Sequence, residues 1–506
     1  MSKVARVLSI APIGFEGKII EVESDIKRGL PSLQIVGLGN KAIDEAKERV
    51  RSAVFNSSLD FPAQKIVINL APAELPKDGT HYDLAIALSI LTAAGELRQN
   101  EVENIVFAGE LALDGTLRPV RGAILIAEAA REAGAKAVIL PEANFDQASL
   151  VEGITILPAK SLPQVFLHLK REVLISTPSF EPQEASTDMR EGVKLDDIKG
   201  QEQAKRAVMI AAAGHHNILL TGPPGSGKTM LANALLSLLP PLSNQEKIAV
   251  TKLHSLAGES VDSVIVSRPF RSPHHTSSRV ALIGGGNHPK PGDISLAHLG
   301  VLFLDEIPEY PRSTLEALRQ PLEDKQISIS RASGHVTYPA DFMLVATMNP
   351  CPCGYYGDPT KECRCSTNQI LTYQQRLSGP LMDRIDLIIS VSRVATEDLL
   401  EHNVLNDKQH SNALSSLNIA LSAQRNRYKR EDFYNNNLSS RDIKTTLVLS
   451  PEVKNLLNTA AEKLNLSARS YFKVIKVART IADLDGSLDI TPTHIAEALQ
   501  YRHITS

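Results

Sequence analysis

Gly222-Pro223-Pro224-Gly225-Ser226-Gly227-Lys228-Thr229 fits the pattern G-x-x-x-x-G-K-S/T. The run before it, Asn217-Ile218-Leu219-Leu220, is short and apolar and predicts a strand. The run after it, Met230-Leu231-Ala232-Asn233-Ala234-Leu235-Leu236, predicts a helix. A glycine-rich turn between strand and helix lets backbone N–H groups close around phosphates, at the helix end whose dipole favours negative charge. On this reading Gly222, Pro223, Pro224, Gly225, Ser226 and Gly227 form the cradle. Lys228 reaches the β- and γ-phosphates, and the Thr229 hydroxyl coordinates Mg²⁺. The expected ligands are ATP and Mg²⁺.

Downstream, Gly300-Val301-Leu302-Phe303-Leu304-Asp305-Glu306 reads as a buried strand ending in two acids. Carboxylates at the C-terminal end of a parallel strand lie where such sheets bind ligands. Asp305 is expected to hold Mg²⁺, directly or through water. Glu306 is expected to orient and deprotonate the attacking water. A third strand, Phe342-Met343-Leu344-Val345-Ala346-Thr347-Met348, ends in Asn349, whose amide is placed to sense the γ-phosphate and align water.

The rest of the chain falls into blocks around this centre. At ~100–200 residues per domain, 506 residues suggest about three domains. Residues 1–170 alternate strand-like and helix-like runs and predict an α/β or α+β domain, with Asn40 as a helix cap. Residues 171–195 carry few large apolar side chains and predict a linker. Residues 196–395 alternate strands and helices as a mostly parallel sheet requires, and 396–506 are helical throughout. Apolar residues make up 43 %, enough for a sizeable core, and no stretch approaches the ~18–20 apolar residues that span a bilayer. The N-terminus lacks a signal-peptide pattern, so the expected location is the cytoplasm. A net charge of −3 argues against a blanket nucleic-acid binder, so any DNA contact must be local or repeated around a ring.

All four cysteines lie between Cys351 and Cys365. Cys351-Pro352-Cys353 and Cys363-Arg364-Cys365 form two C-x-C pairs. Clustering in a long chain points to a metal rather than a disulfide framework. Four thiolates satisfy a tetrahedral Zn²⁺ with no open position, so the expected metal is structural zinc on Cys351, Cys353, Cys363 and Cys365.

Together these residues resemble the AAA+ ATPases, and more closely the clade of magnesium-chelatase motor subunits and replicative MCM helicases. The segment Arg376-Leu377-Ser378-Gly379-Pro380-Leu381-Met382-Asp383-Arg384-Ile385-Asp386-Leu387 looks like that clade's arginine-finger segment. The resemblance implies that Arg384, ahead of Arg376, reaches the ATP of a neighbouring subunit, and hence a homo-hexameric ring. Leu466-Ser467-Ala468-Arg469-Ser470 resembles the sensor-2 motif, which implies that Arg469 also contacts phosphate. Two insertions mark the clade. One corresponds to residues 274–292 and the other to a hairpin around Arg331-Ala332-Ser333-Gly334-His335. In the helicases such loops line the pore and grip DNA, which makes Arg279, Lys290, Arg331 and His335 candidate DNA contacts. The order of parts across the whole chain resembles the ComM/YifB group. That implies an ATP-driven DNA translocase promoting branch migration of incoming DNA in natural transformation, with no membrane partner.

The N-terminal block resembles the ribosomal-S5-like fold of the Lon protease domain, through residues 75–83 and 109–124. Lon's serine position is occupied by His81, and its lysine falls near Ile124. An aliphatic side chain takes no proton, so the dyad that activates a nucleophile is missing. The expected fold is therefore α/β in three parts: an inactive S5/Lon-like α+β domain, a parallel-sheet AAA+ domain and a C-terminal helical lid. An ATP-dependent protease and a metal-chelatase motor are the competing readings.

Overall fold

A computed structural model of the chain describes residues 4–37, 41–75, 77, 79–179, 192–260, 262–286, 289–331, 334–394 and 408–502. The expected cap Asn40 and residues 180–191 of the expected linker lie outside these residues. So do Pro76, Asp78, Asn287 and His288, and the Arg331 side chain is not described.

The N-terminal part is built on a seven-stranded mixed sheet. Its order across the sheet is Ser32–Val36, Lys65–Ala71, Glu16–Lys27, Ala5–Ile13, Ile105–Phe107, Ala137–Pro141 and Thr155–Ala159. Alternation along Lys65–Ala71 sends Ile66, Ile68 and Leu70 inward. Along Ala5–Ile13, Val7 and Ala11 enter one core while Ile10 enters the core on the opposite face. The first core encloses the helix Asp83–Ala94, buried from Asp83 to Ala93 and closed by Gly95 at φ 90°. A helix that is apolar all round belongs to an interior. The helix Ala123–Glu132 covers the other face.

The central part is a five-stranded sheet ordered Phe270–Arg271, Val301–Leu304, Met343–Met348, Ile218–Thr221 and Leu387–Ser390, with every pairing parallel. Both faces are covered, which is why its strands read as unbroken apolar runs. One face (Ile218, Leu220, Val345, Leu387) packs on the helices Glu202–Gly214 and Lys228–Leu238. The other (Leu219, Leu302, Leu344, Ile388) packs on the inserted segments.

Among the described residues, the C-terminal helices, which include Gln409–Tyr428, Pro451–Lys463 and Ala468–Leu484, share their core with the motor sheet. Ala413, Leu417, Val474, Val477 and Ile481 belong to the same buried cluster as Ile218 and Val345. A buried polar hub ties these helices together. Asp483 takes both Nη atoms of Arg427, at 2.5 and 3.0 Å, and an Nη of Arg479 at 3.0 Å.

The N-terminal part docks on the motor through the helix Asn244–Ala257. Gly122 N donates to Ser255 Oγ at 2.9 Å, and Lys252 pairs with Glu128 at 2.5 Å. Lys252 also lies 4.1 Å from the ring centroid of Phe15. Among the described residues, no helix is long and apolar enough to cross a membrane.

Candidate functional site

The phosphate loop leaves the C-terminal end of Ile218–Thr221 and runs into the helix Lys228–Leu238. Gly225 and Gly227 stand at φ 76° and 87°, a left-handed conformation that costs glycine nothing. Gly222 is needed for space: a Cβ there would lie 2.2 Å from the Val391 carbonyl oxygen. Lys228 is buried and donates to Gly222 O at 2.7 Å and Pro223 O at 2.9 Å. Burial lowers its pKa, and the facing carboxylates of Asp305 and Glu306 partly offset that. Thr229 is exposed in the first helical turn. Ser226 Oγ is buried with no hydrogen-bond partner among the described residues.

The two acids follow Val301–Leu304, the strand beside Met343–Met348. Thr347 joins them: its hydroxyl donates to Asp305 Oδ1 at 2.5 Å and accepts from the Glu306 N–H at 2.9 Å. Glu306 holds φ 49°, an uncommon conformation for a non-glycine residue, at the point where the chain turns from the strand. Asn349 completes the chain of contacts. Its Nδ2 donates to Glu306 Oε1 at 3.1 Å and its Oδ1 accepts from Lys228 at 3.3 Å. Lysine, amide and glutamate from three strand ends thus face one another. Sequence reasoning missed Thr347. Its signal is a hydroxyl inside an otherwise apolar strand.

Arg384 and Arg469 lie elsewhere. Arg384 sits just before Leu387–Ser390, at the N-terminal edge of the sheet, where Asn217 Nδ2 donates to its carbonyl at 3.0 Å. The phosphate loop occupies the C-terminal edge. A strand of four residues at ~3.3 Å each separates the two edges by about 13 Å. Arg384 Nε donates to Arg319 O at 3.0 Å and Nη1 to Pro380 O at 2.6 Å, while Nη2 pairs with Glu323. Arg469, at the start of Ala468–Leu484, pairs with the same Glu323 carboxylate. Opposite Arg384, the buried Asp386 accepts from Asn217 N at 2.9 Å and pairs with Lys473 at 2.7 Å, which fixes the arginine segment to the Arg469 helix. Lys473 and His216 hold the Asp386 carboxyl well below the usual range against its burial. Arg376 is on the other side, bonded to Pro308 O at 3.1 Å and Glu309 at 3.2 Å. The structure therefore brings Lys228, Asp305, Glu306 and Asn349 together and holds Arg384 and Arg469 apart from them as a pair.

The four cysteine sulfurs all lie within 4.8 Å of one another. Cys351 Sγ is 3.3 Å from Cys353 Sγ and 3.6 Å from Cys363 Sγ, and the last two are 3.6 Å apart. A tetrahedral ion with ~2.3 Å metal–sulfur bonds spaces its sulfurs at about 3.8 Å. The donor set and its spacing fit Zn²⁺.

Three family descriptions match in chain order. "Subunit ChlI of Mg-chelatase" covers residues 22–144, "Magnesium chelatase, subunit ChlI" covers 194–399, and the ChlI C-terminal family covers 410–502. The chain is 44 % identical to the uncharacterized protein YifB of Escherichia coli, over 98 % of this chain and 96 % of that one. It is 41 % identical to the competence protein ComM of Haemophilus influenzae, over 99 % and 97 %. The chain belongs to the ComM/YifB family. A magnesium-chelatase 67 kDa subunit of Chlorobaculum parvum is 25 % identical over only 31 % of this chain and 23 % of its own length. Membership of this AAA+ family implies ATP and Mg²⁺ as ligands.

The two insertions of this ComM/YifB-family chain lie side by side. Gly284–Gly285 pairs antiparallel with Lys290–Pro291, and Gln326–Arg331 pairs with Gly334–Pro339. Tyr338 Oη donates to Pro289 O at 2.7 Å across the gap between them. Arg279, Lys290 and His335 are exposed, and the His335 ring lies 2.8 Å from Ser330 Oγ. In the N-terminal part, His81 is buried with Nε2 2.9 Å from Ile10 O, and Ile124 is fully buried. Neither presents a group to a substrate.

Proposed function

We propose that the chain is an ATPase that assembles as a ring of six and translocates on single-stranded or branched DNA, driving branch migration during recombination of incoming DNA. The observation that carries this reading is the separation of Arg384 and Arg469 from their own chain's phosphate loop. A site so divided is completed only when a neighbour delivers its arginines. The name of the 41 % identical relative, a competence protein, supports the setting.

Each residue has a role in this scheme. The loop N–H groups and Lys228 bind the phosphates. Thr229 and Asp305 hold Mg²⁺, which neutralises charge on the phosphate oxygens when bound. Glu306 takes a proton from the attacking water, and Asn349 keeps that carboxylate oriented. Arg384 and Arg469 from the adjacent subunit stabilise charge on the transferring group, a contribution of about 10³–10⁵-fold for a trans arginine. Arg279, Lys290, Arg331 and His335 grip DNA in the pore, where a ring would gather these local positive charges into one place, which is compatible with the modest net charge of −3 per chain. Cys351, Cys353, Cys363 and Cys365 hold a structural Zn²⁺. The protease reading is set aside because His81 and Ile124 are buried and cannot form a nucleophile–base pair.

The deciding experiment measures ATP hydrolysis with single-stranded, duplex and four-way-junction DNA. Stimulation by one of these is expected, together with loss of turnover in Arg384→Ala. A rate indifferent to every DNA would overturn the translocase. Full turnover in an assembled Arg384→Ala ring would overturn the arginine assignment.

A further inference from the structure

The cysteine cluster does not stand apart from the phosphate loop. Gly354, at φ 84° in the turn closed by its N–H on Cys351 O at 3.0 Å, rests on Pro224 of that loop. A Cβ on Gly354 would lie 2.6 Å from Pro224 Cδ and 2.8 Å from Cγ, so the Gly354 backbone packs on the Pro224 ring with no room for a side chain. Arg393 makes a second link. Its Nη2 donates to Pro224 O at 3.4 Å, and its Nε pairs with Asp358, within the cysteine loop, at 3.2 Å. Its guanidinium also lies 5.5 Å from the ring centroid of Tyr355 in the same loop. On the other flank the chain enters the cluster directly from Asn349, the amide that touches both Lys228 and Glu306. Thus the loop that cradles phosphate and the amide that faces the nucleophile's base are both anchored to the segment the cysteines close.

That segment, residues 351–365, supplies little apolar surface of its own, since Cys351 is its one fully buried apolar side chain. Such loops take their order from the metal, because the binding free energy of a structural ion is also folding free energy. We infer that Zn²⁺ held by Cys351, Cys353, Cys363 and Cys365 sets the nucleotide affinity of the same chain's phosphate loop, by bracing Pro224 and Asn349 from one rigid knuckle. This inference rests on the ATP reading above. The zinc is not part of the chemistry; four thiolates leave it no open position.

The test uses the full-length protein and a fluorescent ADP analogue. Zinc is quantified, stripped by a chelator under reducing conditions, and nucleotide affinity is then measured in excess Mg²⁺. One zinc per chain is expected. Stripping is expected to weaken binding roughly tenfold, about 1.4 kcal/mol by the usual conversion, and zinc addition to restore it. Arg393→Ala is expected to keep its zinc and still lose severalfold in affinity, which separates the brace from loss of folding. Absence of stoichiometric zinc overturns the inference. So does unchanged affinity in stripped protein, or, if stripped protein unfolds, unchanged affinity in Arg393→Ala. A zinc-loaded wild-type protein that binds no nucleotide would instead sink the ATP reading, with Lys228→Ala as the reference for lost binding.

Discussion

Thr347 shows how much of the site hangs on a group with no chemistry of its own. It holds Asp305 by the side chain and Glu306 by the backbone. Thr347→Val keeps the shape and removes both bonds. Its turnover is expected to fall on the order of tenfold or more, as for outer partners of metal ligands, with more Mg²⁺ needed for half-maximal rate. Steady-state hydrolysis over a Mg²⁺ titration checks it. Glu306→Gln removes the proposed base. Hydrolysis is expected to drop by about 10²–10⁴-fold, while the fluorescent nucleotide still binds. At this scale, legibility in the sequence follows contiguity. Gly222 to Thr229 are neighbours in the chain, so pattern and spacing suffice to propose a cradle there. Glu323 meets Arg469 across 146 positions and Thr347 meets Asp305 across 42, and no local pattern records such meetings.

Among the elements, those with their own signals were readable. The helix Asn244–Ala257 opens on a capping box of Ser243 and Glu246 and closes on Gly258 at φ 84°. The strands of the parallel sheet announce themselves as apolar runs. The place of the C-terminal helices was not readable. They form the expected helical C-terminal region, but periodicity did not say that their buried residues share one core with the motor sheet. Periodicity reports which face is apolar, not what covers it. The paired insertions make a prediction of their own. Lys290→Ala combined with Arg331→Ala is expected to weaken DNA binding across sequences and to flatten its dependence on salt by about one unit of slope per lost phosphate contact. Basal hydrolysis without DNA should stay near wild type. Fluorescence anisotropy over a salt series checks the first outcome and a coupled ATPase assay the second.

For the whole molecule, buried histidines set the response to acid. His215 lies against Tyr434 with ring centroids 3.7 Å apart, His216 is 2.8 Å from Thr480 Oγ1, and His298 accepts from Asp341 N at 3.1 Å. Burial lowers the pKa of all three, that of His298 to about 4. The unfolded chain takes these protons near the ordinary 6.5, and the folded chain only at lower pH. More protons on the unfolded state mean that stability falls as pH drops from about 6.5 towards 4. Asp83 opposes this: burial pushes its carboxyl up to about 6 despite Arg49, so its protonation favours the folded state below that pH. His168, His254 and His494 shift the same way as these three, and Asp293 shifts with Asp83. The histidines outnumber the carboxylates, so the melting temperature is expected to decline between pH 7 and pH 5, and His298→Gln should make the decline shallower. Thermal unfolding followed by circular dichroism at both values checks the sign.

The carboxylate of Glu323 has one more consequence. On the proposed ring reading, a newly made chain holds Arg384 and Arg469 against one shared carboxylate and away from its own phosphate loop. On that reading such a chain is expected to be silent until it meets its neighbours. Hydrolysis per subunit should therefore climb with protein concentration rather than stay constant, so that idle copies cost the cell no ATP until enough have gathered to close a circle.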